Sequence, residues 1–109
     1  MIDLTKKKCA PCEGGVAPLT RDEATELMKQ LDGWTLSGDT RWISKEFKFG
    51  HFADAFVMAE KVAKLAEAEG HHPDIQISWG KTVVELTTHA IKGLSENDFI
   101  LAAKIDKIA

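Results

Sequence analysis

The chain has 109 residues, 44% of them hydrophobic and 28% charged, with a formal charge of −3, which is the composition of one globular domain with a single core. Its acidic balance, relieved only by the short run Lys6-Lys7-Lys8, excludes a dedicated nucleic-acid surface of clustered Lys and Arg. No apolar stretch approaches the roughly 18 residues of a membrane span and no signal-peptide core follows Met1, so a cytoplasmic protein with neither membrane nor nucleic acid as partner is expected.

Residues 1–18 read as an irregular arm, because Cys9-Ala-Pro-Cys12, Gly14-Gly15 and Pro18 all oppose regular structure. The folded domain is expected over residues 19–109. Cys9-x-x-Cys12 has the spacing of half a zinc knuckle but lacks the other half, and no strand-helix unit of the thioredoxin kind follows it. The pair is read as free thiols or an adventitious site, and no metal or organic cofactor is expected. Thr20 and Glu23 form a capping-box pattern. Ala24, Leu27, Met28 and Leu31 then recur at helical spacing, so a first helix should run to about Asp32, where Gly33 stops it. Trp34–Leu36 and Arg41–Phe47 suggest a hairpin about Gly38-Asp39.

Phe52, Ala55, Phe56, Ala59, Val62, Ala63 and Ala66 mark a second helix, and Gly70 stands where its C-cap belongs. A second stripe, Met58, Val62 and Leu65, widens its apolar face, either to meet another subunit or simply to cover a broad core. Asp74–Trp79 and Thr82–Thr88 alternate with period two about Gly80-Lys81, which predicts a second hairpin. A two-residue Gly80-Lys81 loop puts Ile75 opposite Leu86 and Ile77 opposite Val84 on an apolar face. It also puts His72 opposite His89, with Cβ atoms roughly 5 Å apart; Pro73 weakens that last step, because it cannot donate to the ladder. Ser95-Glu-Asn-Asp98 caps a third helix carrying Phe99, Ile100, Ala103, Ile105 and Ile108. The order α-β-β-α-β-β-α predicts a single α+β domain, a four-stranded antiparallel sheet with the helices packed on one face.

Three of the four histidines, His71, His72 and His89, fall within 19 residues, and imidazoles are the side chains best suited to exchange protons near neutral pH. Adjacent residues in extended chain point to opposite sides, so His71 and His72 are a poor pair for one metal ion. His51 stands alone and reads as a surface residue.

In Glu67, His71-His72-Pro73, Trp79, His89 and Asp98 the chain resembles the pterin-4a-carbinolamine dehydratases, a family whose animal members double as dimerisation cofactors of a homeodomain transcription factor. The resemblance extends through Asp32-Gly33-Trp34, Phe47-Lys48-Phe49, Phe52–Phe56, Thr88-His89 and Gly93-Leu94-Ser95, covering about residues 20 to 107. Some animal relatives carry Asp where this chain has Gly70. The arm with Cys9 and Cys12 lies outside the resemblance.

The resemblance implies a hydro-lyase that dehydrates 4a-hydroxytetrahydropterin to quinonoid dihydropterin and so recycles tetrahydropterin. An acid must protonate the departing 4a-hydroxyl and a base must take the N5 proton, which imidazoles do without a metal. It makes His71 and His89 the candidate acids, and His72 the group that holds substrate and serves as base. Glu67 is a candidate to orient an imidazole; Asp98 either does the same or caps its helix. Trp34 either walls the flat pterin or fills the core, and Pro73 completes the expected binding set. An aromatic amino acid hydroxylase is also implied as a partner, while the widened apolar face of the second helix is what suggests a homodimer or homotetramer built through that helix or a sheet edge. A different class fits the same fold: a non-catalytic dimerising or regulatory module, which has no need of the three histidines.

Overall fold

A computed structural model describes residues 3–10 and 16–109. Three α-helices, α1 (Arg21–Met28), α2 (Phe52–Glu69) and α3 (Glu96–Ile108), accompany four strands, β1 (Thr35–Leu36), β2 (Ile43–Lys48), β3 (Asp74–Ser78) and β4 (Lys81–Leu86). All strand pairings are antiparallel and the spatial order is β1-β2-β4-β3, so the α+β arrangement expected from the apolar periodicities is the one the chain adopts. The face carrying Ile43, Phe47, Thr82, Val84 and Leu86 is buried beneath Met58, Val62 and Ala66 of α2 and Phe99, Ile100 and Ala103 of α3. The opposite face carries Glu46, Lys48, Asp74 and Gln76, which meet solvent.

The caps follow their sequence signals. The Thr20 side chain accepts from the Glu23 amide at 3.2 Å while the Glu23 carboxylate accepts from the Thr20 amide at 2.9 Å, closing the reciprocal box that starts α1. Its regular part ends at Met28, and tighter turns carry the chain to Leu31, short of the Asp32 end that periodicity predicts. Gly70 ends α2 in the left-handed region, at φ +70°, its amide bonded to Ala66 O at 2.9 Å; this turn delivers His71. A Cβ added at Gly70 meets nothing within 4 Å, so only backbone strain opposes Gly70→Ala. That variant should lose about 1 kcal/mol, read as a lower urea midpoint with an unchanged slope.

The second hairpin corrects the expected register. Its loop is Trp79-Gly80, not Gly80-Lys81, so Ile75 pairs with Val84 and Ile77 with Thr82, while Leu86 pairs with Ile43 of β2. Glycine is in both readings the loop residue with positive φ, and Gly80 has φ +77°; nothing local decides whether it stands first or second in the loop. The neighbouring strand decides, because the Phe49 amide donates to Gly80 O at 2.7 Å, and a Cβ at Gly80 would lie 3.1 Å from Phe49 O. A slip of two residues preserves the face each side chain occupies, so Ile75, Ile77, Val84 and Leu86 still share the core side. The His72–His89 cross-strand pair does not form: β3 begins at Asp74 and β4 ends at Leu86.

The described part of the arm has one short regular element and is otherwise irregular. Asp3 caps a short 3-10 turn, Leu4–Lys6, and Leu4 is buried in the core, its amide donating to Gln30 Oε1 at 3.1 Å.

Candidate active site

The ends of α2 and β4 and the start of α3 meet at the histidines. His71 leaves the Gly70 turn and is 8% exposed; its Nε2 lies 2.6 Å from Oδ1 of Asp98, which is fully buried in the first turn of α3. The other carboxylate oxygen accepts from Thr88 Oγ1 at 2.8 Å and from the Ser95 amide at 3.0 Å. Thr88 and Ser95 hydroxyls lie 2.7 Å apart. Since the Thr88 proton goes to Asp98, Ser95 must donate to Thr88. As a carboxylate Asp98 is acceptor only, and in that form His71 Nε2 donates to it while Nδ1 takes no part in this network. One carboxylate thus closes the capping box of α3 and contacts His71.

His89 follows Thr88 directly and opens a 3-10 turn, His89–Ile91. That turn is pinned by the Thr88↔Gly93 bridge, with Thr88 N donating to Gly93 O at 2.9 Å. His71 and His89 are therefore linked through Asp98 and Thr88, not through strand pairing. The His89 ring is exposed and meets Trp42 edge to face, with centroids 5.8 Å apart at 79°. Together with Arg41, Thr87 and Lys92 these two rings line an open cavity of about 160 Å³. His72 is exposed and its Nε2 lies 3.2 Å from Glu67 Oε1, with Glu67 also in solvent. Pro73 follows, half-buried, immediately before β3.

Trp34 is not brought to this place. It is 7% exposed, and its indole N–H donates to Asp106 Oδ1 at 2.9 Å. Lys45 Nζ bonds the same oxygen at 2.8 Å and Asp32 O at 2.6 Å. Asp106 lies eight residues beyond Asp98 along α3, about 12 Å at the helical rise, so Trp34 locks the far end of the helix to the sheet. The tryptophan beside a histidine is Trp42, which sequence reading placed only in a strand. Its signal was parity: Trp42 falls with Ser44, Glu46 and Lys48 on the polar face, where a large aromatic has no core to fill. Thr88 carries no signal in the sequence beyond its place before His89.

Cys9 is half-buried, and burial followed by the nearby Glu69 charge pushes its thiol up to about 12. Such a thiol stays protonated at neutral pH, a poor state for a nucleophile or metal ligand. Cys12, and with it the half-knuckle reading, lies outside the described residues. Among the described residues no three His, Cys, Asp or Glu side chains group as a metal site, and no helix is long and apolar enough to cross a membrane.

The fold and site define a small α+β protein with a buried histidine–carboxylate pair at one end of its sheet. The family model for pterin 4 alpha carbinolamine dehydratase matches residues 17–108, and the chain belongs to that family. It is 49% identical over 107 residues to a protein of Halorhodospira halophila, covering 98% of each. It is 52% identical over 106 residues to one of Nitrosospira multiformis, covering 97% of this chain and 92% of that one. Both carry the name "Putative pterin-4-alpha-carbinolamine dehydratase". A crystal structure from Brucella melitensis, described as a transcriptional coactivator/pterin dehydratase, superposes with TM-score 0.78 at 35% identity, covering 84% of this chain and 98% of that one. A pterin dehydratase-like protein described as a RuBisCO assembly factor in the alpha-carboxysome superposes with TM-score 0.60 at 25% identity, covering 73% and 93%.

Proposed function

We propose that this chain dehydrates 4a-hydroxytetrahydropterin to quinonoid dihydropterin, as a hydro-lyase of tetrahydropterin recycling in the cytoplasm. The observation that carries the reading is the buried His71–Asp98 contact of 2.6 Å, tied through Thr88 to His89 at the cavity. A carboxylate that fixes one imidazole nitrogen leaves the other aimed for proton exchange, the requirement of general acid–base catalysis. In this reading His71 and His89 serve the departing 4a-hydroxyl, His72 takes the N5 proton with Glu67 orienting its ring, and Pro73 holds the chain extended where it leaves His72 for β3. Trp42 takes the stacking role first considered for Trp34, as the aromatic wall beside His89.

An oligomer belongs to the same proposal. Phe56, Ala59, Ala63, Ile75 and Ile77 line an apolar groove of about 350 Å³ between α2 and the outer strand β3, where Phe56 is 52% exposed. An apolar patch beside a free strand edge suits a homodimer or homotetramer through helix and edge. An aromatic amino acid hydroxylase is the partner whose product this chemistry would consume. The non-catalytic alternative finds support in the relative described as an assembly factor.

The decisive assay supplies purified protein with 4a-hydroxytetrahydropterin freed of hydroxylase and follows formation of quinonoid dihydropterin. The expected result is acceleration over the spontaneous rate, without added metal. A folded protein that gives none would overturn the enzymatic reading and favour the non-catalytic module.

A further inference from the structure

The arm reaches the proton-transfer centre. Leu4 anchors it in the core, and Lys7 Nζ bonds Glu96 Oε1 at 2.6 Å. Beyond that point the backbone of Cys9 and Ala10 makes three bonds to side chains. The Cys9 amide donates to Glu69 Oε1 at 3.1 Å and the Ala10 amide to Asn97 Oδ1 at 2.9 Å, while Asn97 Nδ2 donates to Ala10 O at 2.8 Å. Asn97 is only 8% exposed, so its amide is committed at both ends to one backbone residue. Glu69 is held equally firmly: burial opposes its charge, but the Lys104 ammonium at 2.8 Å and the Cys9 amide outweigh that and keep the carboxyl below its ordinary range.

The two anchor residues occupy telling positions. Glu69 is the last residue of α2, two before His71, and Asn97 is in the first turn of α3, one before Asp98. The arm therefore bridges the two chain segments whose side chains meet at 2.6 Å. We propose that Asn97, with the arm backbone at residues 9–10, is a positioning clamp that sets the His71–Asp98 hydrogen bond. Asn97 itself touches neither reacting group and acts through the main chain it shares with Asp98. A carboxylate displaced by a fraction of an ångström weakens the bond that holds His71 in one tautomer, and misplacement of that order is enough to cost an enzyme much of its rate.

The test reads the His71 Nε2–H proton by NMR in the substrate-free, full-length protein, beside steady-state kinetics. The wild-type proton should be far downfield and slow to exchange, as for a short charge-assisted bond. Asn97→Ala should shift it toward an ordinary imidazole position and speed its exchange, with kcat falling about ten- to hundredfold and KM nearly unchanged. If Asn97→Ala does not fold, Ala10→Pro decides in its place, because it removes one clamp donor from an exposed arm residue and leaves the helix sequence intact. An unmoved Nε2–H signal in a folded variant overturns the clamp, whether or not kcat falls. Only the kinetic half rests on the dehydratase reading: a wild type without activity, whose Nε2–H signal still moves on substitution, would refute that reading and leave the clamp standing.

Discussion

With His89 replaced by alanine, dehydration of 4a-hydroxytetrahydropterin is expected to slow by between about tenfold and ten-thousandfold, the range for losing a general acid or base. The variant should fold. His89 lies exposed on its 3-10 turn, and the contact it forfeits is an edge-to-face meeting with Trp42, a pair worth about 1 kcal/mol. Rates measured across pH, with the melting curve taken on the same samples, separate chemistry from stability. An undiminished rate would remove His89 from the mechanism, and a lost melting transition would show that the turn it opens is structural.

Asp98→Ala should damage both properties at once. The carboxylate is fully buried and accepts from His71, Thr88 and the Ser95 amide. Its removal takes the carboxylate half of the capping box from α3 and leaves the buried His71 Nε2 and the Ser95 amide without their acceptor, at a cost of about 3 kcal/mol. For a domain of this size the melting temperature would drop by on the order of 15 °C. Activity measured well below that temperature should still be reduced by at least tenfold, because His71 loses the group that fixes its tautomer. A variant with near-native stability would contradict the three-donor arrangement around Asp98. One that is unstable but fully active in the cold would confine Asp98 to capping. The contrast with His89→Ala is informative: the exposed histidine should cost rate alone, the buried carboxylate rate and stability together.

The helices were legible because each carries its own boundary chemistry. Thr20 with Glu23, Gly70, and Ser95 with Asp98 act within a few residues; the apolar repeat of α3 matches its packed face, whereas in α2 Ala55, Ala59, Val62 and Ala66 are buried but Phe52, Phe56 and Ala63 are exposed. The hairpin faces were legible for the same reason, since alternation is local. The register was not. Whether Gly80 stands first or second in its loop depends on the Phe49 amide, a group just past the end of β2, so the inferred meeting of His72 and His89 had no local support. Trp34 was ambiguous in a similar way, because a tryptophan beside a glycine serves a core or a ligand equally well. Its place was settled by Asp106, 72 residues distant.

By itself the sequence determined the α-β-β-α-β-β-α order, the side on which Ile75, Ile77, Val84 and Leu86 are found, and the cluster of His71, His72 and His89. These follow from propensity, capping and periodicity, all of which act over a few residues. The tertiary structure alone decided which histidine is buried and by what it is held. His71 finds Asp98 across 27 residues of chain, Thr88 joins the same carboxylate, and Ala10 reaches Asn97 across 87. Bonds of that kind depend on how two helix ends and an arm are packed against one sheet. No spacing along the chain encodes their lengths, because they exist only once the core beneath them has set the ends in place.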